Sequence, residues 1–349
     1  MMQNTGAAKW RLYSMLKICR DRAIWCSRMA VRIAVRIACL LQMTHCSGGQ
    51  YIDGTRQPPV MKILPAVTLC ATYFSMAVAF AQLPETVHFD SADGKVKLAA
   101  YLYLPDATRW PGPRPAIVML HGRSGVFSAG AKKFDATTLA GRAVQWGRFW
   151  AERGYIGLHV DTFGPRGYPK GFEAGTNDGR RPAEINEITM RPFDAYMGLK
   201  YLRSRGDVTK DHVFLQGWSN GGSAALSTMA VATVGMEKPT IDSGFRAAIA
   251  VYPACGRLAK QYGAIYRSYA PVLLLIGTED EEVSFSRCEK FAQSSRAGDV
   301  EFIRYPGATH SFDTPNAKRT AVSANVAATR DTEMRAEAFF RKHLMPVKP

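Results

Sequence analysis

Short apolar runs, each closed by a turn rich in Gly, Pro or Asp, recur between residues 86 and 305. The first pair differs from the rest. Over residues 86–104 apolar and polar positions alternate and break at Ser91-Ala92-Asp93-Gly94, the pattern of two strands joined by a turn that contains Asp-Gly. Pro111, Pro113 and Pro115 then lead into Ala116-Ile117-Val118-Met119-Leu120, a continuous apolar run of the kind buried on both faces of a parallel sheet. Residues 156–160, 213–215, 246–251, 272–276 and 300–305 predict further strands. Helices are predicted between them. In 139–153, Leu139, Ala143, Trp146 and Trp150 fall on one face and Gly154 ends the helix. In 193–205, Ala195, Leu199 and Leu202 face inward; 223–234 is a small-residue helix packed close to the sheet, and 324–343 closes the outside. The Trp residues are expected in the core, and His159, inside its strand, is expected to be a hydrogen-bonded core residue. Strands alternating with helices predict an α/β fold with a mostly parallel central sheet and helices on both faces.

Chemistry gathers at the ends of these strands. Val213-Phe214-Leu215 runs into Gly217-Trp218-Ser219-Asn220-Gly221, a G-x-S-x-G turn between strand and helix. A serine on so sharp a turn needs neighbours without side-chain bulk, which the glycines two before and two after provide. Gly277-Thr278-Glu279-Asp280 follows the 272–276 strand, and Pro306-Gly307-Ala308-Thr309-His310 follows the last one. Ser219, Asp280 and His310 therefore stand in the chain order of a nucleophile, acid and base triad, 61 and 30 residues apart. His310 would take the proton of Ser219 and return it to a leaving group, with Asp280 orienting the imidazole. Glu279, Glu281 and Glu282 compete for the acid role; Asp280 is preferred because it stands where the chain has just cleared the sheet.

His121-Gly122-Arg123-Ser124-Gly125, directly after an early strand, is a loop suited to presenting backbone N–H groups to an oxyanion. The expected donors are Arg123 and Asn220, with Arg166, Trp218 and Tyr252 as substrate contacts. Residues 162–192 form a long Gly- and Pro-rich stretch expected at the mouth of the site. Tyr262, Tyr266 and Tyr269 either cover the site or are ordinary surface aromatics.

The chain has 349 residues, 47% of them hydrophobic and 21% charged, enough for a large core. Its net charge of +16 would matter for nucleic-acid binding if it were concentrated. Residues 1–81 carry ten of the 45 Lys and Arg and two of the 29 acids, so this segment and the remainder each carry +8. The excess in 82–349 is diffuse, with no basic helix or aromatic platform, and no nucleic-acid partner is expected.

Met61-Lys62, an apolar run to Phe80 and the ending Ala79-Phe80-Ala81 have the three parts of a secretory signal, with cleavage expected after Ala81 and Gln82 as the first mature residue. The rival reading of this run is a membrane-spanning helix; with cleavage no stable membrane anchor is expected. Residues 1–60 are expected to be upstream read-through or a disordered extension, with Met61 as the start; a basic amphipathic membrane-surface segment is the alternative. Residues 82–349 then form a single domain, periplasmic or secreted. Five of seven cysteines (Cys19, Cys26, Cys39, Cys46 and Cys70) precede it. The remaining pair, Cys255 and Cys288, reads as one disulfide in an exported protein, or as two separate buried thiols. No cluster has metal spacing, so no metal is expected.

Residues 121–125, 161–167, the serine turn, 277–280 and Tyr305-Pro306-Gly307-Ala308 leading to His310 together resemble the dienelactone hydrolase family of the α/β-hydrolase superfamily, over most of 82–345. That resemblance implies hydrolysis of an ester or lactone through an acyl-enzyme, on a small-molecule substrate, without cofactor or metal. Its dienelactone-cleaving members carry a cysteine nucleophile, a glutamate in the oxyanion loop and an arginine shortly after the histidine. This chain has Ser219, Gly122-Arg123 and Thr314 at those places and is closer to exported, serine-containing relatives. A peptidase of the prolyl-oligopeptidase type shares this catalytic domain, but no propeller-sized N-terminal domain is present in the sequence. An inactive binding scaffold is the reading from another class.

Overall fold

In the computed structural model, which describes residues 83–173, 181–262 and 265–344, eight strands form one sheet in the order β1-β2-β4-β3-β5-β6-β7-β8. The opening hairpin pairs β1 (Glu85–Asp90) with β2 (Lys97–Tyr103), and β2 pairs antiparallel with β4 (Ile156–Asp161). Every later pairing is parallel, through β3 (Arg114–Leu120), β5 (Val208–Trp218), β6 (Ala248–Val251), β7 (Val272–Gly277) and β8 (Val300–Tyr305). The apolar runs occupy the middle of this sheet for a simple reason. Residues 116–120 and 272–276 are almost inaccessible to water on both faces, and each Val, Leu, Ile or Met side chain among them gains about 1.5–3 kcal/mol by leaving water.

The helices are α1 (Gly141–Glu152), α2 (Met190–Ser204), α3 (Asn220–Met229), α4 (Cys255–Tyr262), α5 (Phe285–Gln293), the short α6 (Ala317–Thr320) and α7 (Ser323–Lys342). On one face, α1 and α7 pack together: Phe340 stacks on Phe214 and lies 5.3 Å from Trp150, while Arg153 pairs with Glu337 at 2.7 Å. On the other, α2 lies so close that a methyl group on Gly198 would touch Val118 and Val160. The inward residues Ala195, Leu199 and Leu202 are buried as their spacing predicts.

Two helix starts differ from the sequence expectation. Helix α2 begins at Met190, before Pro192, because a proline in the first turn gives up only an N–H that has no partner there. Helix α3 begins at Asn220, immediately after the serine, and ends at Met229. The expectation for His159 also changes. Its ring is buried and stacked at 5.9 Å on Trp218, but neither ring nitrogen has a hydrogen-bond partner among the described residues. Burial accordingly depresses its pKa to about 3, so it is neutral.

Cys255 at the start of α4 and Cys288 in α5 form a disulfide, which links the two helices that follow β6 and β7. The expected signal peptide and the segment before it lie outside the described residues. Among the described residues no helix is long and apolar enough to cross a membrane.

Candidate functional site

The parallel strands all point their carboxyl ends to one edge of the sheet, and the serine turn sits at the end of the central one, β5. Ser219 has φ 53° and ψ −118°, a conformation a non-glycine residue holds only at a cost of order 1–3 kcal/mol. The turn closes because its flanks lack side chains. A Cβ on Gly217 would lie 2.0 Å from the Gly221 carbonyl oxygen, and one on Gly221 would lie 2.1 Å from that of Leu120.

Ser219 Oγ lies 3.0 Å from His310 Nε2, and His310 Nδ1 lies 2.8 Å from one oxygen of Asp280 and 3.0 Å from the other. An ionised carboxylate only accepts, so Nδ1 carries the proton and Nε2 is left to accept from the serine hydroxyl. Asp280 is itself fixed by the backbone N–H groups of Glu282 and Val283, at 3.0 and 2.8 Å. The structure thus brings Ser219, Asp280 and His310 together in a single hydrogen-bonded line.

The three competing glutamates separate by position. Glu281 accepts from the backbone N–H of His310 at 2.8 Å and pairs with Arg319 at 2.8 Å, so it holds the histidine's chain rather than its ring. Glu282 lies 3.7 Å from His310 Nε2 and is gripped by the Arg123 guanidinium through contacts of 2.9–3.0 Å. The backbone N–H of Glu279 donates to the Ala308 carbonyl.

The 121–125 loop lies against the serine. A Cβ on Gly122 would sit 3.5 Å from Ser219 Cβ, which places the residue before Arg123 directly beside the serine. That of Asn220, first in α3, has no partner inside its helix. The loop is pinned from below by His121, whose Nδ1–H donates to the Gly122 carbonyl at 2.7 Å while Nε2 accepts from the N–H of Thr162 at 3.2 Å. Burial, aided by the charge of Arg191, holds its pKa well below the usual histidine range, so the ring is a neutral peg.

Three expected substrate contacts fall elsewhere. Arg166 is clamped by both oxygens of Asp194 at 2.8 and 2.9 Å and by the Thr162 carbonyl, so its guanidinium is spent on the fold. Trp218 is wholly buried, its indole N–H on Asp313 at 2.8 Å; alternation along β5 turns it to the α1 face, away from the opening. Tyr252 is likewise without exposure, yet its ring meets that of His310 edge to face at 4.8 Å. It is therefore a support of the histidine. Tyr262, Tyr266 and Tyr269 do not cover the site. The Tyr262 and Tyr266 hydroxyls donate to the carbonyls of Ser227 and Leu226, and the Tyr269 hydroxyl accepts from the Phe245 N–H, all around the far end of α3.

Sequence reasoning missed an inner cluster. Asp313 accepts from the indole N–H groups of Trp146 and Trp218, both at 2.8 Å, and from the Tyr252 hydroxyl at 2.5 Å, with Arg142 3.6 Å away. Arg142 also donates to Tyr252 at 2.7 Å and to Thr314 Oγ1 at 3.1 Å. Burial opposes the charge of Arg142, but Tyr252 and Asp313 outweigh it and raise its pKa. Asp313, three residues after His310, was the only hint in the sequence; Arg142 is 172 positions from Thr314.

Comparisons with known proteins agree with this architecture. Esterase 2 of Thermogutta terrifontis, in a form phosphorylated by paraoxon, is 20% identical, with a TM-score of 0.53 over 76% of this chain and 96% of its own. Its propionate-bound form gives 20% and 0.52 over 76% and 97%. A candidate dienelactone hydrolase of Klebsiella pneumoniae is 17% identical, with a TM-score of 0.54 over 75% of this chain and all of its own. At these identities the likeness shows the α/β-hydrolase fold. No curated protein matches in sequence. The family model of the dienelactone hydrolases, however, matches residues 98–344, most of the chain, and this protein belongs to the dienelactone hydrolase family, hydrolases that act on ester bonds.

Proposed function

We propose that the protein is a serine hydrolase that cleaves a small carboxylic ester or lactone through an acyl-enzyme. The observation that carries this reading is the 3.0 Å approach of Ser219 Oγ to a histidine whose other nitrogen is held by a buried carboxylate. Ser219 attacks the acyl carbonyl as His310 Nε2 takes its proton. The oxyanion that forms is met by the N–H groups of Arg123 and Asn220, reinforced by the positive end of α3. His310, now charged and stabilised by Asp280, returns the proton to the leaving alkoxide. A water molecule then repeats the sequence and frees the acid.

The natural substrate is a small molecule, and the protein works outside the cytoplasm. The Cys255–Cys288 disulfide favours an oxidising compartment, in keeping with the signal-like segment at 61–81. Sequencing the natural N-terminus tests the latter, with Gln82 expected first and residues 1–60 on the mature chain contradicting it.

The test of the activity is a panel of p-nitrophenyl esters, simple lactones and peptide amides, run on wild type and Ser219→Ala. Ester or lactone turnover that vanishes in Ser219→Ala is expected. Turnover by the variant at the wild-type rate overturns the nucleophile assignment.

A further inference from the structure

The two expected oxyanion donors stand on different elements, Arg123 in the loop after β3 and Asn220 at the start of α3, so their spacing needs a tie. One side chain supplies it. Arg191, in the first turn of α2 and wholly buried, donates from Nη1 to the Asn220 side-chain oxygen and from Nη2 to the His121 carbonyl, both at 2.7 Å. His121 directly precedes Gly122, and Asn220 carries one of the donor N–H groups itself. The other end of the Asn220 amide is also fixed, donating to Glu187 at 2.9 Å. Glu187 is held in turn by Arg181 at 2.7 Å and Arg257 at 3.1 Å.

Burying a guanidinium costs several kcal/mol and is normally offset by a carboxylate in contact. Among the described residues Arg191 bonds to no carboxylate. Both its hydrogen bonds go to neutral carbonyl oxygens, and Asp194, the acid on its own helix, is taken by Arg166. Burial pulls its pKa down to about 9, against the pull of Asp194 and Glu187, which leaves it charged at neutral pH. Its planar face lies over Phe163 at 5.0 Å, so the fork cannot tilt freely. A rigid cation therefore sits directly behind the two groups that would meet a developing negative charge.

We propose that Arg191 is a positioning residue for the oxyanion hole: it sets the spacing of the Arg123 and Asn220 N–H groups through His121 and the Asn220 amide, with Glu187 as the counter-brace. The inference rests on the acyl-enzyme reading above and deepens it. A device of this kind acts on the tetrahedral state more than on the bound ester. Lysine cannot replace it, because one ammonium cannot span two carbonyls with fixed geometry.

The test measures kcat, KM and the affinity of a boronic acid that forms a tetrahedral adduct on serine, in wild type, Arg191→Met, Arg191→Lys and Ser219→Ala. Arg203→Met is the control, since Arg203 lies on the same helix and also donates to carbonyls, those of Lys210, Asp242, Ser243 and Gly244, away from the site. Arg191→Met is expected to lower kcat about 10- to 100-fold. Its KM should stay within about threefold, its boronate affinity should fall in parallel with kcat, and Arg191→Lys should recover little. In Arg191→Ala, added guanidinium ion should restore part of kcat. Wild-type kcat and boronate affinity in folded Arg191→Met, or losses no larger than in Arg203→Met, overturn the proposal. If the Met variant does not fold, Arg191→Lys and Glu187→Gln, which keep the volume, are judged by the same split, and wild-type boronate affinity in both overturns it. Ester turnover surviving in Ser219→Ala sinks the acyl-enzyme reading instead, whereas a dead Ser219→Ala beside an unimpaired Arg191→Met sinks this inference alone.

Discussion

Asp280 and Asp313 both carry fully buried carboxylates, one against the His310 ring and the other behind the Tyr252 that packs on it, and their surroundings differ. Asp280 faces an imidazole whose far nitrogen reaches Ser219, so in the proposed reaction its charge would be coupled to a proton that moves. Asp313 faces two indoles, a phenol and a guanidinium. None of these releases a proton near neutral pH; burial raises the Tyr252 phenol well above its usual range. Burial alone thus fails to distinguish the acid proposed for the chemistry from one in the scaffold. What separates them is whether the partner can change protonation state. Asp313 still reaches His310 at one remove, because the Tyr252 it anchors packs on the His310 ring.

The largest effect that sharpens this contrast is expected for Asp280→Asn. The amide cannot stabilise a charged imidazole and invites the wrong tautomer, so kcat should fall about 10⁴-fold, roughly 5 kcal/mol of transition-state stabilisation. Thermal unfolding should change little, and steady-state kinetics beside a melting curve checks both. Asp313→Asn should do the reverse. It leaves Arg142 without its counter-charge and turns an amide N–H toward donors, so stability should drop about 3–5 kcal/mol, read by denaturant titration. The surviving folded fraction should keep activity within about tenfold.

Replacing both Cys255 and Cys288 by Ser should cost about 3–4 kcal/mol for a closure of 33 positions, without changing kcat of folded protein. An unchanged unfolding midpoint contradicts it. The smallest effect at neutral pH is expected at His159. Its folded pKa is depressed to about 3 from an unfolded value of 6.5, so the unfolded chain alone takes up the proton as pH falls below 6.5. Stability should therefore decline between about pH 6.5 and 3, by up to about 1.4 kcal/mol per pH unit from this group. His159→Phe removes two unpaired ring nitrogens and should raise stability by about 1–3 kcal/mol while flattening that decline. A steeper acid slope in the variant would contradict it.

Much of the molecule is legible in its sequence. Strands such as 116–120 and 272–276 announce themselves because a sheet covered on both faces admits only apolar runs. The serine turn, the acid and the histidine are legible because each follows such a strand at the edge where parallel strands end. Arg142, Glu187 and Arg191 were not. Arg191 meets Asn220 across 29 positions and His121 across 70, and nothing local in the sequence of α2 distinguishes it from a surface arginine in the first turn of a helix. His159 erred for a related reason: a histidine between apolar neighbours suggests a partner, but the ring faces Trp218 instead. The signals that failed are those set by packing between elements, and the signals that held are set by the element itself.

The most direct test of the Ser219–His310–Asp280 line is the rate at which a serine-directed phosphonate labels the folded protein, followed by mass with the site mapped, in wild type, Asp280→Asn and Asp313→Asn. The expected result is one equivalent on Ser219, slowed about 10³-fold or more in Asp280→Asn and less than tenfold in Asp313→Asn. Labelling at another residue, or a larger loss in folded Asp313→Asn than in Asp280→Asn, would contradict it.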